Sequence, residues 1–145
     1  MIRILIKKLN ENAKLPQKMT EHSAGYDVYS CNDEDILLKS KSLELIPTGF
    51  SVAIPKNYEI QIRPRSGLVL KHQIGVLNSP GTIDADYRGE VKIILYNYSD
   101  RDFVVTKHMR IAQMVISKHF NADFHEVNML PKSNRDKGGF GHTNL

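Results

Sequence analysis

Short runs of β-branched and apolar residues, each closed off by a turn signal, recur along most of this 145-residue chain and narrow its fold more than any other feature. Tyr26-Asp-Val-Tyr-Ser and Tyr58-Glu-Ile-Gln-Ile-Arg alternate with the period of two that lays one face of a strand on a core. Ile2-Arg-Ile-Leu-Ile-Lys mixes apolar and basic residues, while Ser51-Val-Ala-Ile, Val91-Lys-Ile-Ile-Leu-Tyr-Asn, Phe103-Val-Val-Thr and Gln113-Met-Val-Ile add further runs. Pro47, Pro55, Pro64, Pro80 and Pro131 fall between the runs or at their edges, where a missing N–H costs no ladder bond. A helix of a turn or two is expected only at Gly67-Leu-Val-Leu-Lys-His, and no long internal period suggests a solenoid or propeller. The pattern predicts an all-β, jelly-roll-like sandwich or barrel with one short helix. After Pro131 the chain turns polar and glycine-rich, so residues 1–131 are expected to form the β domain and 132–145 a flexible arm.

Composition bounds the partners. The net charge of +4 and a pI near 9.2 favour anions in general. Yet the basic residues are scattered, acids such as Asp33-Glu34-Asp35 intervene, and no basic stripe carries interleaved aromatics, so no nucleic-acid surface is expected. A small polyanion such as a nucleoside triphosphate satisfies the charge equally well. No apolar run approaches a membrane span, and Met1-Ile-Arg-Ile-Leu-Ile-Lys-Lys is too soon interrupted by charge for a secretory signal. The one cysteine, Cys31, forms no internal disulfide and suits a reducing cytoplasm.

Two segments carry most of the chemistry. Asn78-Ser-Pro-Gly-Thr-Ile-Asp-Ala-Asp-Tyr-Arg-Gly-Glu90 reads as a β-hairpin with a polar tip, with Asp84 and Asp86 on one strand face and Tyr87 on the other. One acid there is expected to pair with Arg88 or another cation, since two ionised carboxylates so close repel. The segment is either a solvated turn or the mount of a general base. Arg135-Asp-Lys-Gly-Gly-Phe-Gly-His-Thr143 is either a frayed terminus or a nucleotide clamp, with glycines admitting backbone N–H groups to phosphate and Phe140 offering a face to a base. It lacks the Lys-Ser/Thr of a P-loop. Ala24-Gly-Tyr-Asp27, Arg65-Ser-Gly67 and Arg110-Ile-Ala-Gln113 are weaker alone; Asp27 either orients a metal-bound water or pairs with an arginine. The six histidines show no zinc-ligand spacing.

In order and separation these five segments resemble those of the trimeric deoxyuridine triphosphate nucleotidohydrolases, the dUTPases. Ala24–Asp27 is similar to the family's first motif, Pro64–Leu68 to the second, Asn78–Glu90 to the third, Arg110–Met114 to the fourth and Arg135–Thr143 to the fifth. The resemblance implies a homotrimer with active sites shared between subunits. It also implies hydrolysis of dUTP to dUMP and pyrophosphate, which limits uracil in DNA and supplies dUMP for thymidylate synthesis. Asp84 would activate the water that attacks the α-phosphorus, with Arg135 as an arginine finger and Gln113 near the α-phosphate. Asn78 and main-chain groups near Thr82 and Ile83 would read uracil, and Tyr87 would pack under the deoxyribose. Arg65, Ser66 and Gly67 would hold phosphates, Phe140 would stack on the base, and Lys92, Gly141 and Thr143 would complete the substrate contacts. Mg2+ would bridge the triphosphate, with Asp27 at its water shell. Because Asp84 and Tyr87 would both face substrate, the third segment must bend rather than alternate.

Asp136 and Asn144 stand where the family usually has glycine, and His142 where serine is frequent. A dCTP deaminase on a related fold is the second enzyme reading, opposed by the presence of the fifth segment. A nucleotide-switched regulatory protein is the reading from another class.

Overall fold

Strand β8, Glu90–Asn97, shows how the alternation is used: Val91, Ile93, Leu95 and Asn97 are buried while Lys92, Ile94 and Tyr96 turn outward. The computed structural model describes residues 2–139. Before β8 come β1 (Leu5–Lys8), β2 (Gly25–Tyr29), β3 (Ile36–Leu38), β4 (Leu43–Ala53), β5 (Tyr58–Arg63), helix α1 (Ser66–His72), β6 (Ile74–Val76) and β7 (Gly81–Ile83). After it come β9 (Phe103–Val105) and β10 (Arg110–Lys118). One sheet has the order β1-β4-β8-β6, the second β2-β10-β5-β7, and β3 pairs with β9, all antiparallel. Phe50, Ile46, Ile93 and Leu95 from the first sheet meet Val28, Ile60, Ile62, Ile111 and Met114 from the second in one core. This is the jelly-roll-like sandwich that the runs predict.

Buried Asn97 is fully served, donating to the carbonyls of Leu38 and Arg101 and accepting the Ser99 N–H. Helix α1 ends where Gln73 takes a left-handed φ of 56° and its N–H turns back to Val69. No helix among the described residues is long and apolar enough to cross a membrane.

Two features differ from the sequence reading. Pro47 lies inside β4 rather than at an edge, tolerated because the β4–β8 register shifts between Pro47 and Ser51. That bulge turns on Gly49, whose φ is +72° and where a Cβ would lie 2.7 Å from Cys31 Sγ and 2.9 Å from Ala13 Cβ. Glycine is required there by backbone and by space. Second, Asn78–Glu90 is not a hairpin: β7 pairs with β5 and β8 with β4 and β6, so the segment crosses from one sheet to the other. Residues 84–89 lie in no strand, so the shared face expected for Asp84 and Asp86 does not exist. The last strand ends at Lys118, and every residue from Phe120 to Lys137 is exposed.

Candidate active site

The first three weak segments converge on Asp27. Its β2 register puts it opposite Gln113 on β10, which in turn faces Arg63 on β5. Asp27 Oδ1 accepts Arg65 Nε at 3.2 Å and Oδ2 accepts Arg110 Nη1 at 3.1 Å. The Asp27 side chain is only 12 % exposed, so it is shielded more than a surface pair. Arg110 reaches Asp27 because the β10 register shifts between Arg110 and Ala112, burying Ile111 and Ala112 in succession. Arg65 also donates to the Arg110 carbonyl, and Gln113 Nε2 to the Pro64 carbonyl at 3.0 Å. Gly25 makes room for this: a Cβ there would collide with the Gln113 amide oxygen. Two guanidinium groups on one carboxylate leave a surplus positive charge beside Ser66 and Gly67, both exposed at the start of α1. Such a cluster suits a phosphate. Asp27 thus pairs with arginines, one of the two roles open to it.

The crossing between sheets forms a second cluster. Thr82, Ile83, Asp84 and Tyr87 line a cavity of about 430 Å³ with Leu45 and Lys92. The Tyr87 N–H donates to the Asp84 carbonyl at 3.2 Å, which closes a turn that leaves Asp84 exposed. Arg88 pairs with neither acid; its Nη1 donates to the carbonyls of Ala85 and Tyr87, bracing the turn from within. Lys92 points at Glu90, Nζ to Oε2 being 3.5 Å. Asn78 is exposed and packs over Gly81, where a Cβ would lie 3.0 Å from its Nδ2.

The two clusters do not meet within one chain. Ile83 pairs with Ile60, so Asp84 comes level with the start of β5, whereas Arg65 follows its end. At roughly 3.3 Å per residue the strand separates them by about 20 Å. β2 and β10 also lie on the opposite side of β5 from β7.

Arg135 Nε donates to the Gly138 carbonyl at 2.8 Å. Asp136 has φ 43°, in the left-handed region that favours glycine. Phe140, Gly141 and Thr143 lie outside the described residues. Sequence reasoning missed Arg110 as a partner of Asp27 and Glu90 as a structural acceptor. Only the R-x-x-Q spacing hinted at the first, and nothing local at the second.

A dUTPase family model matches residues 11–144. The deoxyuridine 5'-triphosphate nucleotidohydrolase of Rickettsia prowazekii (strain Madrid E) is 51% identical over 146 residues, covering 100% of this chain and 99% of that protein. That of Rickettsia akari (strain Hartford) is 51% identical over 144 residues, covering 99% and 97%. Among solved structures, the Staphylococcus bacteriophage 80alpha dUTPase with dUPNHPP has a TM-score of 0.89 at 26% identity, covering 99% of each chain. With the family match spanning both clusters and the turn at Arg135, this chain belongs to the dUTPase family.

Proposed function

We propose that this chain hydrolyses dUTP to dUMP and pyrophosphate as a homotrimer, each site combining the Asp27–Arg65–Arg110–Gln113 cluster of one copy with the Asp84 corner of another. The separation of the two clusters along β5 carries this reading. A general base acts within hydrogen-bond reach of its proton, directly or through one water, so Asp84 cannot serve a phosphorus held by Arg65 of its own chain. A neighbouring copy removes the conflict. The exposed apolar side chains of the tail, Phe120 at 87%, Phe124 at 92% and Met129 at 83%, also fit a chain that buries more surface on assembly.

In this reading Asp84 takes a proton from water as the water oxygen bonds to the α-phosphorus and the bond to the bridging oxygen of pyrophosphate breaks. The surplus charge of Arg65 and Arg110, with Ser66 and Gly67, holds the phosphate chain, and Gln113 lies toward the α-phosphate. Asn78 and the main chain at Thr82 and Ile83 read uracil, while Tyr87 walls the sugar. The arm, taken as 132–145, closes over the nucleotide with Arg135 at the phosphates, Phe140 on the base, and Gly141 and Thr143 alongside. Lys92 is a substrate contact only if it leaves Glu90.

Among the described residues no group of three or more His, Cys, Asp or Glu side chains could hold a metal ion. That fits Mg2+, which keeps several waters and rides mainly on substrate phosphates. Asp27, its oxygens retaining lone pairs beyond the two arginine bonds, would meet that water shell, and the ion would neutralise phosphate charge. Cytoplasmic location belongs to the same reading.

Pyrophosphate release measured on dUTP, dCTP, dTTP and UTP, with and without Mg2+, tests it. Release from dUTP alone is expected. Ammonia from dCTP, or no turnover of dUTP, refutes it.

A further inference from the structure

The β4 bulge and the β7–β8 corner are joined by one side chain. Gly49 sits in the left-handed region with no room for a Cβ, within the stretch where the β4–β8 register shifts. Glu90 Oε1 accepts the Gly49 N–H at 2.9 Å. The second oxygen of Glu90 lies 3.5 Å from Lys92 Nζ, which holds the carboxylate in line. The Gly49 carbonyl is itself taken by the N–H groups of Leu9 and Asn10, so the bulge is fixed from both sides.

The same residue meets the corner through its backbone. Tyr87 Oη donates to the Glu90 carbonyl at 3.1 Å. Its ring lies so close over Gly89 that a Cβ there would overlap the hydroxyl and the ring carbon bearing it. Tyr87 is 46% exposed, so no surrounding core fixes its rotamer. What holds the ring is the carbonyl of a residue whose side chain is bolted to the bulge, together with the missing side chain between them.

We propose that Glu90 and Gly89 are positioning residues for sugar discrimination, a latch that fixes the Tyr87 wall by tying the corner to the Gly49 bulge. This rests on Tyr87 facing the deoxyribose, as read above. Without the carboxylate the start of β8 loosens and the wall moves. With a methyl at position 89 the ring is pushed off its carbonyl. Either change opens space beside the sugar, where a 2′-hydroxyl would otherwise be refused.

The test uses the full chain with Glu90→Ala, Glu90→Gln, Gly89→Ala and Tyr87→Phe, comparing kcat and KM for dUTP and UTP by pyrophosphate release, with dUPNHPP affinity by calorimetry. Glu90→Ala and Gly89→Ala should raise KM for dUTP about tenfold, keep kcat within about threefold, and shrink the dUTP:UTP ratio of kcat/KM about tenfold. Glu90→Gln, whose amide oxygen still accepts the Gly49 N–H, should restore the ratio to within about twofold. Tyr87→Phe loses only the hydroxyl and should narrow the ratio without touching the bulge, which keeps the test valid if Glu90→Ala fails to fold. An unchanged ratio in Gly89→Ala and Tyr87→Phe, or no rescue by Glu90→Gln, overturns the latch. A wild-type chain that leaves dUTP intact overturns the functional reading beneath it.

Discussion

If each site combines one chain's arginine cluster with another chain's corner, two inactive variants should repair one another. Asp84→Asn damages the corner and leaves the Asp27–Arg65–Arg110 cluster intact; Arg65→Ala does the reverse. The two positions lie at opposite ends of β5, on the order of 20 Å apart, so neither substitution reaches the other's neighbourhood. In oligomers re-formed from an equal mixture, a working site needs its cluster from an Asp84→Asn chain and its corner from an Arg65→Ala chain. Each condition is met half the time, so about one quarter of sites should recover wild-type turnover in a ring of heterologous contacts. Removing a positioned base typically costs about 10²–10⁴ in rate, so a quarter of normal activity would stand far above either parent. The assay is pyrophosphate release from dUTP after unfolding and joint refolding, with native mass spectrometry counting mixed oligomers. Mixed oligomers no more active than the parents would mean that both clusters act within one chain, and the argument from strand length would fail.

Gly49→Ala forces a methyl to within 2.7 Å of Cys31 Sγ at a φ of +72°. Overpacking of about 1–3 kcal/mol plus roughly 1–2 kcal/mol for the left-handed backbone should lower Tm by on the order of 10 °C in a chain this size; a shift under about 2 °C in calorimetry would count against the bulge as described. Burial pushes the Cys31 thiol above its ordinary value of 9.0. The unfolded chain therefore ionises first, so stability relative to Cys31→Ala should hold below pH 9.0 and fall as pH rises above it, read from urea midpoints across that range. At Asp136, φ 43°, glycine should serve better than alanine: dUPNHPP should bind Asp136→Gly about fivefold more tightly than Asp136→Ala, both lacking the charge, and equal affinities would show that this turn plays no part in closure.

What the sequence discloses follows the range of the interaction that decides it. The alternation of Tyr58–Arg63 names β5 because burial of every second side chain is a local pattern. β6 and β7 are three residues each, too short to show a period, and only pairing with β8 and β5 makes them strands. The corner reads as a hairpin because a turn signal followed by an alternating run looks the same whether the flanking strands pair together or with other partners. The arginine cluster is only half legible: an arginine partner is one of two readings for Asp27, but its two partners lie 38 and 83 residues away. Glu90 was illegible as a structural acceptor, since the N–H it satisfies exists only once Gly49 has bulged β4.

The failure of alternation at residues 84–89 is what makes the corner usable. A residue inside a paired strand has its backbone engaged on both sides and its side chain committed to core or solvent by parity. Where the chain passes from the sheet of β5 to the sheet of β8, neither constraint applies, and the turn at Asp84–Tyr87 can present a carboxylate and an aromatic ring together. Freedom of that kind leaves the wall poorly fixed, since Tyr87 gains no core packing. Bonds to the strand behind must replace it, and the Glu90 carbonyl, held by its own side chain on the Gly49 N–H, provides one. A corner anchored from behind and open in front is the arrangement a site completed by a second chain needs, because the surface it offers must stay in place before the partner arrives.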